Sequence, residues 1–342
     1  TINKSTDYFN TKLYTGNGST QSITGVGFQP DWVWYKNRSA TANHGLFDAV
    51  RGATKLIQSN ATGAEQTVSG VTSFNSDGFG IGADSDGNGN GNNIVSWNWK
   101  ANGAGSANTD GSINTTATSV NTTAGFSISK YTGNATSGAT VGHGLGTTPS
   151  VIIVKKTSGS DGWVIYHHKN TSAPATEYLR LDTSAATADN LGEWNDTAPS
   201  STVFTIGNSG RTNDNGATYI AYCFAEKTGY SKFGSYTGNG NSDGPFIYTG
   251  FKPAFVMTKK TSGTSSWDIH DTKRDTYNVA SEYLLAEDSG AEGNTAILDI
   301  LSNGFKFRSS NGDRNASGGT YIYMAFAEAP LVGTNNVPAN AR

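Results

Sequence analysis

The chain has 342 residues, a formal net charge of −3 and only 15% charged side chains, well below the roughly 25% of ordinary domains. Its charges are mixed in sign and unclustered, which excludes the basic surface that nucleic-acid binding or membrane-surface attachment requires. A single cysteine, Cys223, excludes an intrachain disulfide, and no apolar run is long enough to span a bilayer. We expect no nucleic-acid partner and no membrane insertion.

The sequence contains an internal repeat. Tyr-Thr-Gly-Asn occurs at Tyr14–Asn17, Tyr131–Asn134 and Tyr236–Asn239. Each copy is followed by a proline that opens an apolar run, namely Pro30, Pro149 and Pro253. Each repeat then ends in an apolar closing strand: Ile94–Trp99, Tyr219–Phe224 and Tyr321–Phe326. A unit of about a hundred residues is long enough to bury a core of its own, so the repeat predicts three domains in tandem.

The spacing of these landmarks predicts the boundaries. The repeats are expected at residues 1–103, 125–228 and 229–329, with a C-terminal tail at 330–342. The extra residues of the first unit fall at 104–124, and their Ser, Asn, Thr and Gly content predicts a flexible or loosely packed linker.

Short apolar or alternating segments recur between Gly, Asn and Asp clusters without any sustained helical periodicity. This pattern predicts an all-β chain of three tandem β-sandwich-like domains. When the three repeats are aligned, Val33, Ile152 and Val256 occupy one position of the strand after each proline. This position is apolar, although the neighbouring positions of the strand already face a core. Both faces of that strand should be covered, either by a second layer or by another chain, and we expect a homo-oligomer.

One loop resembles the start of a calcium site. Asp84, Asp86 and Asn88 place side-chain oxygens at alternate positions, but the twelfth position, which should be a bidentate Glu, is Val95. The same loop in the other repeats has ordinary turn residues. A structural turn is therefore the favoured interpretation, and calcium binding is the alternative.

Three tryptophans are candidates for binding a sugar ring, because an exposed indole stacks well on one. They are Trp163, Trp194 and Trp267. Trp194 lies in a loop found only in the second repeat, whereas packing at a sheet edge is the alternative for the other two. By contrast, Trp32, Trp34, Trp97 and Trp99 occupy columns that are apolar in the sister repeats, and they should lie in the core.

No catalytic or cofactor signature is recognisable. The sequence has no phosphate loop, nucleotide fingerprint, nucleophile elbow or paired-histidine motif, so we expect neither a cofactor nor catalysis. Alignment of the repeats places His44 in one column with Trp163 and Trp267, and Asp48 with His167 and Asp271. Packing is therefore the favoured role for the histidines.

Several segments resemble an uncharacterised repeat family of virion proteins from marine and cyanobacterial tailed phages. They are residues 8–18, 26–34, 73–79, 96–101 and 224–232. The resemblance covers essentially all three repeats, although the second and third lack the Trp97-Asn98-Trp99 form, and the family supplies no catalytic residues.

This resemblance implies a phage virion structural protein, either a fibre, an appendage or a head decoration. Such a protein would be assembled in the host cytoplasm, held by other virion proteins and displayed on the particle surface, where it could bind a host glycan. Two alternatives stay open: a polysaccharide-degrading enzyme of a phage tail, and a cellular surface-layer or filament subunit.

Overall fold

The computed structural model describes residues 2–331 and is mostly β, with 43% strand and 6% helix, which confirms the all-β prediction. No helix of the described residues is long and apolar enough to cross a membrane. Residues 332–342 of the predicted tail lie outside the described part.

The elements follow the chain repeat by repeat, after a 3-10 turn at Ser5–Asp7. The first repeat contains β1 (Phe9–Thr15), β2 (Gln21–Thr24), β3 (Trp32–Asn37), β4 (Gly45–Asp48), β5 (Lys55–Leu56), β6 (Gln66–Thr67), β7 (Val71–Asn75), β8 (Gly78–Ile81), α1 (Ser85–Asn88) and β9 (Asn93–Trp99). The second contains β10 (Ala117–Asn121), β11 (Phe126–Thr132), β12 (Ala139–Gly142), β13 (Val151–Lys156), β14 (Val164–His167), β15 (Glu177–Tyr178), β16 (Ala188–Asp189), α2 (Leu191–Trp194), β17 (Val203–Ile206), α3 (Gly210–Asn213) and β18 (Thr218–Phe224). The third contains β19 (Ser231–Thr237), β20 (Phe246–Tyr248), β21 (Phe251–Lys260), β22 (Trp267–Asp271), β23 (Ala280–Leu285), β24 (Gly293–Leu301), β25 (Gly304–Phe307), α4 (Gly312–Asn315) and β26 (Thr320–Pro330).

Each repeat contributes an antiparallel main sheet with the same central strand order. The orders are β1-β9-β3-β4, β11-β18-β13-β14 and β19-β26-β21-β22. The motif tyrosine pairs with the closing strand in the same register each time: Tyr14 with Ile94, Tyr131 with Tyr219, and Tyr236 with Tyr321. This register confirms that the three closing strands are equivalent. In the third repeat the sheet continues through β23, β24, β25 and β20 into a nearly closed barrel.

The outer face of each main sheet packs within its own repeat. Val33, Ile152 and Val256 lie in three separate apolar cores of this kind. In the first repeat, for example, Val33 and Tyr35 of β3 pack with Phe79 and Ile81 of β8. Because successive strand residues point to opposite faces, Trp32 and Trp34 of the same strand face the other way.

The inner faces of the three main sheets pack together into one aromatic core that all three repeats share. Trp32 stacks on Tyr222 of the second repeat with ring centroids 4.5 Å apart, and Phe9 stacks on Phe326 of the third at 5.3 Å. Phe224 of the second repeat contacts Phe326 at 5.7 Å. Both faces of β3, β13 and β21 are thus covered inside the chain, so the apolar columns have an intrachain explanation. The division into three independent domains stays a prediction.

The Tyr-Thr-Gly-Asn motif recurs because it fastens the strand that carries it to a short helix near the end of the same repeat. The tyrosine hydroxyl donates to a helix carbonyl: Tyr14 to Gly87 (2.8 Å), Tyr131 to Thr212 (2.8 Å) and Tyr236 to Arg314 (2.9 Å). The motif Asn donates its backbone N–H to a buried Asn side chain: Asn17 to Asn88, Asn134 to Asn213 and Asn239 to Asn315. A Cβ added at Gly16 would lie 2.2 Å from the carbonyl oxygen of Gly89, so the close approach requires glycine.

The predicted flexible linker at 104–124 is instead packed on the second repeat. It contains β10, which pairs with β11, and Ile113 and Ala124 within it are buried. The Thr118 hydroxyl lies 3.1 Å from that of Ser129. The paired part of the segment is therefore not flexible, because its small polar side chains find partners on a neighbouring strand, whereas its role as the boundary between repeats stays a prediction.

Candidate functional site

The three tryptophans proposed as exposed sugar platforms are buried, so that prediction is wrong. Trp163 is 0% exposed, Trp267 1% and Trp194 2%. Trp163 and Trp267 lie in the shared core, and Trp194 packs edge-on against Tyr166 in the second repeat's own core. No sugar can stack on them, because other repeats or layers cover their faces.

The loop proposed as an alternative calcium site uses its oxygens within the fold. Asp84 caps α1 by accepting from the N–H of Asp86, and it also accepts from the hydroxyl of Tyr35. The Oδ1 atom of the buried Asn88 accepts from Asn17, and its Nδ2 donates to the carbonyl of Gly82 at 2.8 Å. Among residues 2–331, no group of three or more His, Cys, Asp or Glu side chains is placed to hold a metal ion. These contacts support the turn interpretation.

The repeats meet at three equivalent joints, which we name the first–second, second–third and third–first joints after the repeats they connect. At each joint a ring N–H of one repeat donates to a backbone carbonyl of another: Trp163 to Gln58 (2.9 Å), Trp267 to Arg180 (2.8 Å) and His44 to Leu285 (2.9 Å), respectively. Trp34 Nε1 donates to His44 Nδ1, which places the imidazole proton on Nε2. Burial lowers the pKa of His44 to about 3, so the ring stays neutral.

Backbone hydrogen bonds repeat with the same spacing at every joint. The first–second joint has Asp161 N to Thr62 O and Glu65 N to Thr157 O, both 2.9 Å. The second–third joint has Ser265 N to Ser184 O (2.9 Å) and Thr187 N to Thr261 O (3.1 Å). The third–first joint has Ala42 N to Ser289 O (2.9 Å) and Glu292 N to Arg38 O (3.0 Å). The contacts therefore run from each repeat to the next and close on the first.

A buried lysine lies at each joint. Lys36, Lys155 and Lys259 are at most 1% exposed. Their Nζ atoms donate across the joints: Lys155 to Thr62 O (3.1 Å), Lys259 to Ser184 O (3.1 Å) and Lys36 to Ser289 O (3.2 Å). Burial lowers the pKa of each to about 8. At neutral pH the ammonium form therefore persists and supplies hydrogen-bond donors to backbone carbonyls.

Two repeats also carry a triad of charged side chains beside a joint, in which the arginine and the aspartate are fully buried and the glutamate is partly exposed. In the first repeat Arg51 pairs with Asp48 and with Glu65, and in the third Arg274 pairs with Asp271 and with Glu292. Burial raises the pKa of Asp271, but the Arg274 guanidinium outweighs this effect and holds it below its usual value. Neighbouring repeats add donors, since Tyr222 donates to Asp48 at 2.7 Å and Trp97 to Asp271 at 3.0 Å.

The second repeat replaces this triad with uncharged groups. His167 stands in the place of the aspartate, Asn170 in that of the arginine and Thr187 in that of the glutamate. Burial lowers the pKa of His167 to about 3, so it is neutral. The Asn170 Oδ1 atom accepts from the Thr187 hydroxyl at 2.7 Å, while its buried Nδ2 has no hydrogen-bond partner among residues 2–331.

A cleft of about 450 Å³ opens where the charges are missing, at the second–third joint. Asn170 and Thr171 line it from the second repeat, and Thr237, Thr261 and Tyr321 line it from the third. The related cleft of the first repeat holds Arg38 in the place of Thr261 and measures about 230 Å³. Sequence reasoning missed this site, although the column of Asp48, His167 and Asp271 already contained the signal that the second repeat differs.

A further groove of about 490 Å³ lies beside Tyr248, which is 58% exposed on β20. Its wall contains Lys232 and Glu226, which form an ion pair at 2.8 Å. Because these opposite charges already neutralise each other, the groove presents no unpaired charge from this pair to a ligand.

The comparison with curated proteins found no match. A family described as a domain of unknown function (DUF7483) matches residues 4–330 and so spans all three repeats. One family extending over the whole repeat array is consistent with the core that the repeats share. The chain belongs to this DUF7483 family.

Proposed function

We propose that the chain is a structural protein of a phage particle, displayed on its surface as a fibre, appendage or head decoration, and that it acts by binding and support, not by catalysis. The observation that carries this proposal is the closed set of three joints between the repeats. A protein that must persist outside a cell depends on slow unfolding, because it cannot be refolded or replaced there.

The joints supply resistance to unfolding without disulfide bonds. Each joint has a buried lysine and backbone hydrogen bonds between two repeats. Two of the joints also have a buried ion pair beside them. Opening a joint would break buried partnerships, and removing one partner of a buried ion pair costs about 3–5 kcal/mol. This design suits assembly in the reducing host cytoplasm, where disulfides do not persist. It also suits the free Cys223, which is buried and whose pKa burial raises.

Two of the carboxylates that could have served a hydrolase, Glu193 and Glu282, pair with arginines. Glu193 is fully buried and accepts hydrogen bonds from Arg211 and Ser209. Glu282 pairs with Arg38 across the third–first joint at 2.7 Å. Both acids thus hold arginine side chains in place. This arrangement favours a structural role over the alternative of a polysaccharide-degrading enzyme.

The proposed partners are other virion proteins and further copies of the chain. Sedimentation velocity of the purified chain over a wide concentration range measures the second part directly. We expect reversible association at high concentration. A strict monomer that also makes no contact with its own copies in the particle would rule out the homo-oligomer.

The location is tested on intact particles. Gradient-purified particles are labelled with antibodies against the chain, and the unassembled protein from the same lysate is the control for non-specific carry-over. We expect the chain to co-sediment with particles and to be labelled on their surface. Recovery in the host cell envelope, with none in particles, would instead identify a surface-layer or filament subunit.

Catalysis is tested separately by incubating the chain with host surface polysaccharide and measuring reducing ends. Steady release that disappears in Glu193→Gln or Glu282→Gln would show that the chain is an enzyme. We expect no release above the rate of a heat-unfolded control.

A further inference from the structure

The cleft at the second–third joint is the place where the internal symmetry of the protein breaks. In the first and third repeats the guanidinium groups of Arg51 and Arg274 occupy this position and are held by two carboxylates each. The shorter Asn170 leaves that space open. All three charged residues of the triad are replaced together in the second repeat, because His167 and Thr187 stand in the places of its two acids.

This replacement affects which ligand charge the cleft can accommodate. A charged group entering the cleft would lose water without meeting an opposite charge in the triad position, and such burial is costly. His167 is neutral because burial lowers its pKa, and the exposed Lys169 is the charged side chain that lines the cleft. Glu177, which accepts a hydrogen bond from the lining residue Thr171, carries the opposite charge to Lys169, so the two charges beside the cleft do not together favour a ligand of either sign. The interior of the cleft therefore favours a neutral ligand.

The polar groups that line the cleft indicate the chemical class of its ligand. Ser235 and Thr237 are exposed in the wall and present hydroxyls. The buried Thr261 hydroxyl is already engaged, with the Thr320 carbonyl at 3.1 Å and the Thr320 hydroxyl at 2.8 Å. The Nδ2 atom of the buried Asn170 has no partner among the described residues, so a ligand hydroxyl can complete this hydrogen bond once the Asn170 side chain turns toward the cleft that it lines. The volume of about 450 Å³ lies in the range of small-molecule sites.

We propose that the cleft at the second–third joint binds one neutral sugar residue, whose hydroxyls pair with the hydroxyls and the Asn170 amide of the wall. Hydroxyl groups both donate and accept hydrogen bonds, so a polyhydroxyl ligand matches this lining better than an apolar or ionic one. The proposal does not depend on the particle location of the chain. It does explain why one joint lacks the charged triad that the other two repeats retain.

The test uses the full chain and free sugars. Saturation-transfer NMR is recorded with glucose, galactose, mannose, N-acetylglucosamine, lactose and maltose, and with glucuronic acid and N-acetylneuraminic acid as anionic comparisons. A single small sugar in an open cleft should bind with a roughly millimolar Kd. We expect at least one neutral sugar to bind and the anionic sugars to bind more weakly.

Two variants locate the binding. Thr237→Arg places a long side chain in the cleft, and Thr132→Arg is its matched control, because Thr132 is the exposed residue at the same position of the second repeat. The triple variant His167→Asp, Asn170→Arg, Thr187→Glu restores the triad of the sister repeats and should fill the cleft. We expect Thr237→Arg and the triple variant to weaken binding by roughly tenfold or more, and Thr132→Arg to leave it unchanged.

Circular dichroism and the thermal midpoint confirm that each variant is folded. Because Thr237 is exposed, Thr237→Arg keeps the test valid even if the triple variant does not fold. Three results would each overturn the proposal: no binding of any neutral sugar, unchanged binding in Thr237→Arg, or stronger binding of the anionic sugars.

Discussion

Replacement of Trp163 by phenylalanine tests whether the joints hold the repeats together. Trp163 is fully buried in the shared core, and its Nε1 donates to the Gln58 carbonyl at 2.9 Å. Phenylalanine has a smaller ring, and the lost apolar contacts cost about 2 kcal/mol. The lost hydrogen bond and the carbonyl left unpaired cost roughly another 1–2 kcal/mol. We expect the free energy of unfolding to fall by about 3–4 kcal/mol.

The chain provides a matched pair for this variant. Trp267→Phe removes the equivalent hydrogen bond, to the Arg180 carbonyl at 2.8 Å, and should cost about the same. Trp194 is equally buried, but its Nε1 has no partner among residues 2–331. Removal of that unpaired donor offsets part of the packing loss, so Trp194→Phe should cost no more than about 1 kcal/mol.

Urea unfolding followed by far-UV circular dichroism measures all three differences. The wild type should unfold in one transition, because the shared core couples the repeats. Equal losses for Trp163→Phe and Trp194→Phe would show that the joint hydrogen bonds contribute nothing. Separate transitions for the repeats would refute the coupling itself.

Three further outcomes follow from local geometry and charge. Gly16→Ala should lower the free energy of unfolding by roughly 1–3 kcal/mol in the same urea assay, because the new Cβ meets a backbone oxygen. Gly63→Ala is the control, since its new Cβ would meet only the end of the Gln66 side chain at 4.0 Å, and equal effects would contradict the steric explanation. Because burial lowers the pKa of Lys155 to about 8, the unfolded chain binds a proton that the folded chain releases above that pH. The free energy of unfolding should therefore rise from about pH 8 to pH 9.5, and Lys155→Met should reduce this rise when urea titrations are repeated at each pH. The Cys223 thiol should react with a thiol reagent only as the chain unfolds, since it is buried and burial raises its pKa; rapid labelling of the native chain would contradict this.

The repeat, the β class and the strand equivalence could be predicted from sequence because they rest on local patterns. Because side chains alternate along Ile94–Trp99, the sequence alone determines which of them share a face of the strand. This grouping does not depend on what the strand packs against. The same reasoning correctly placed Trp32, Trp34, Trp97 and Trp99 in the core. It also aligned His44 with Trp163 and Trp267, which make equivalent contacts at the three joints.

The tertiary structure alone decided what covers each face. Trp163 and Trp267 were predicted to be exposed because no pattern within their own repeats requires that they be covered. In the structure they are covered by a different repeat. The cleft at the second–third joint likewise depends on residues from two repeats, Asn170 and Thr261, which lie far apart in sequence. Local patterns determine which side chains a strand presents, but burial depends on the surface that meets them, and in this protein that surface belongs to another repeat.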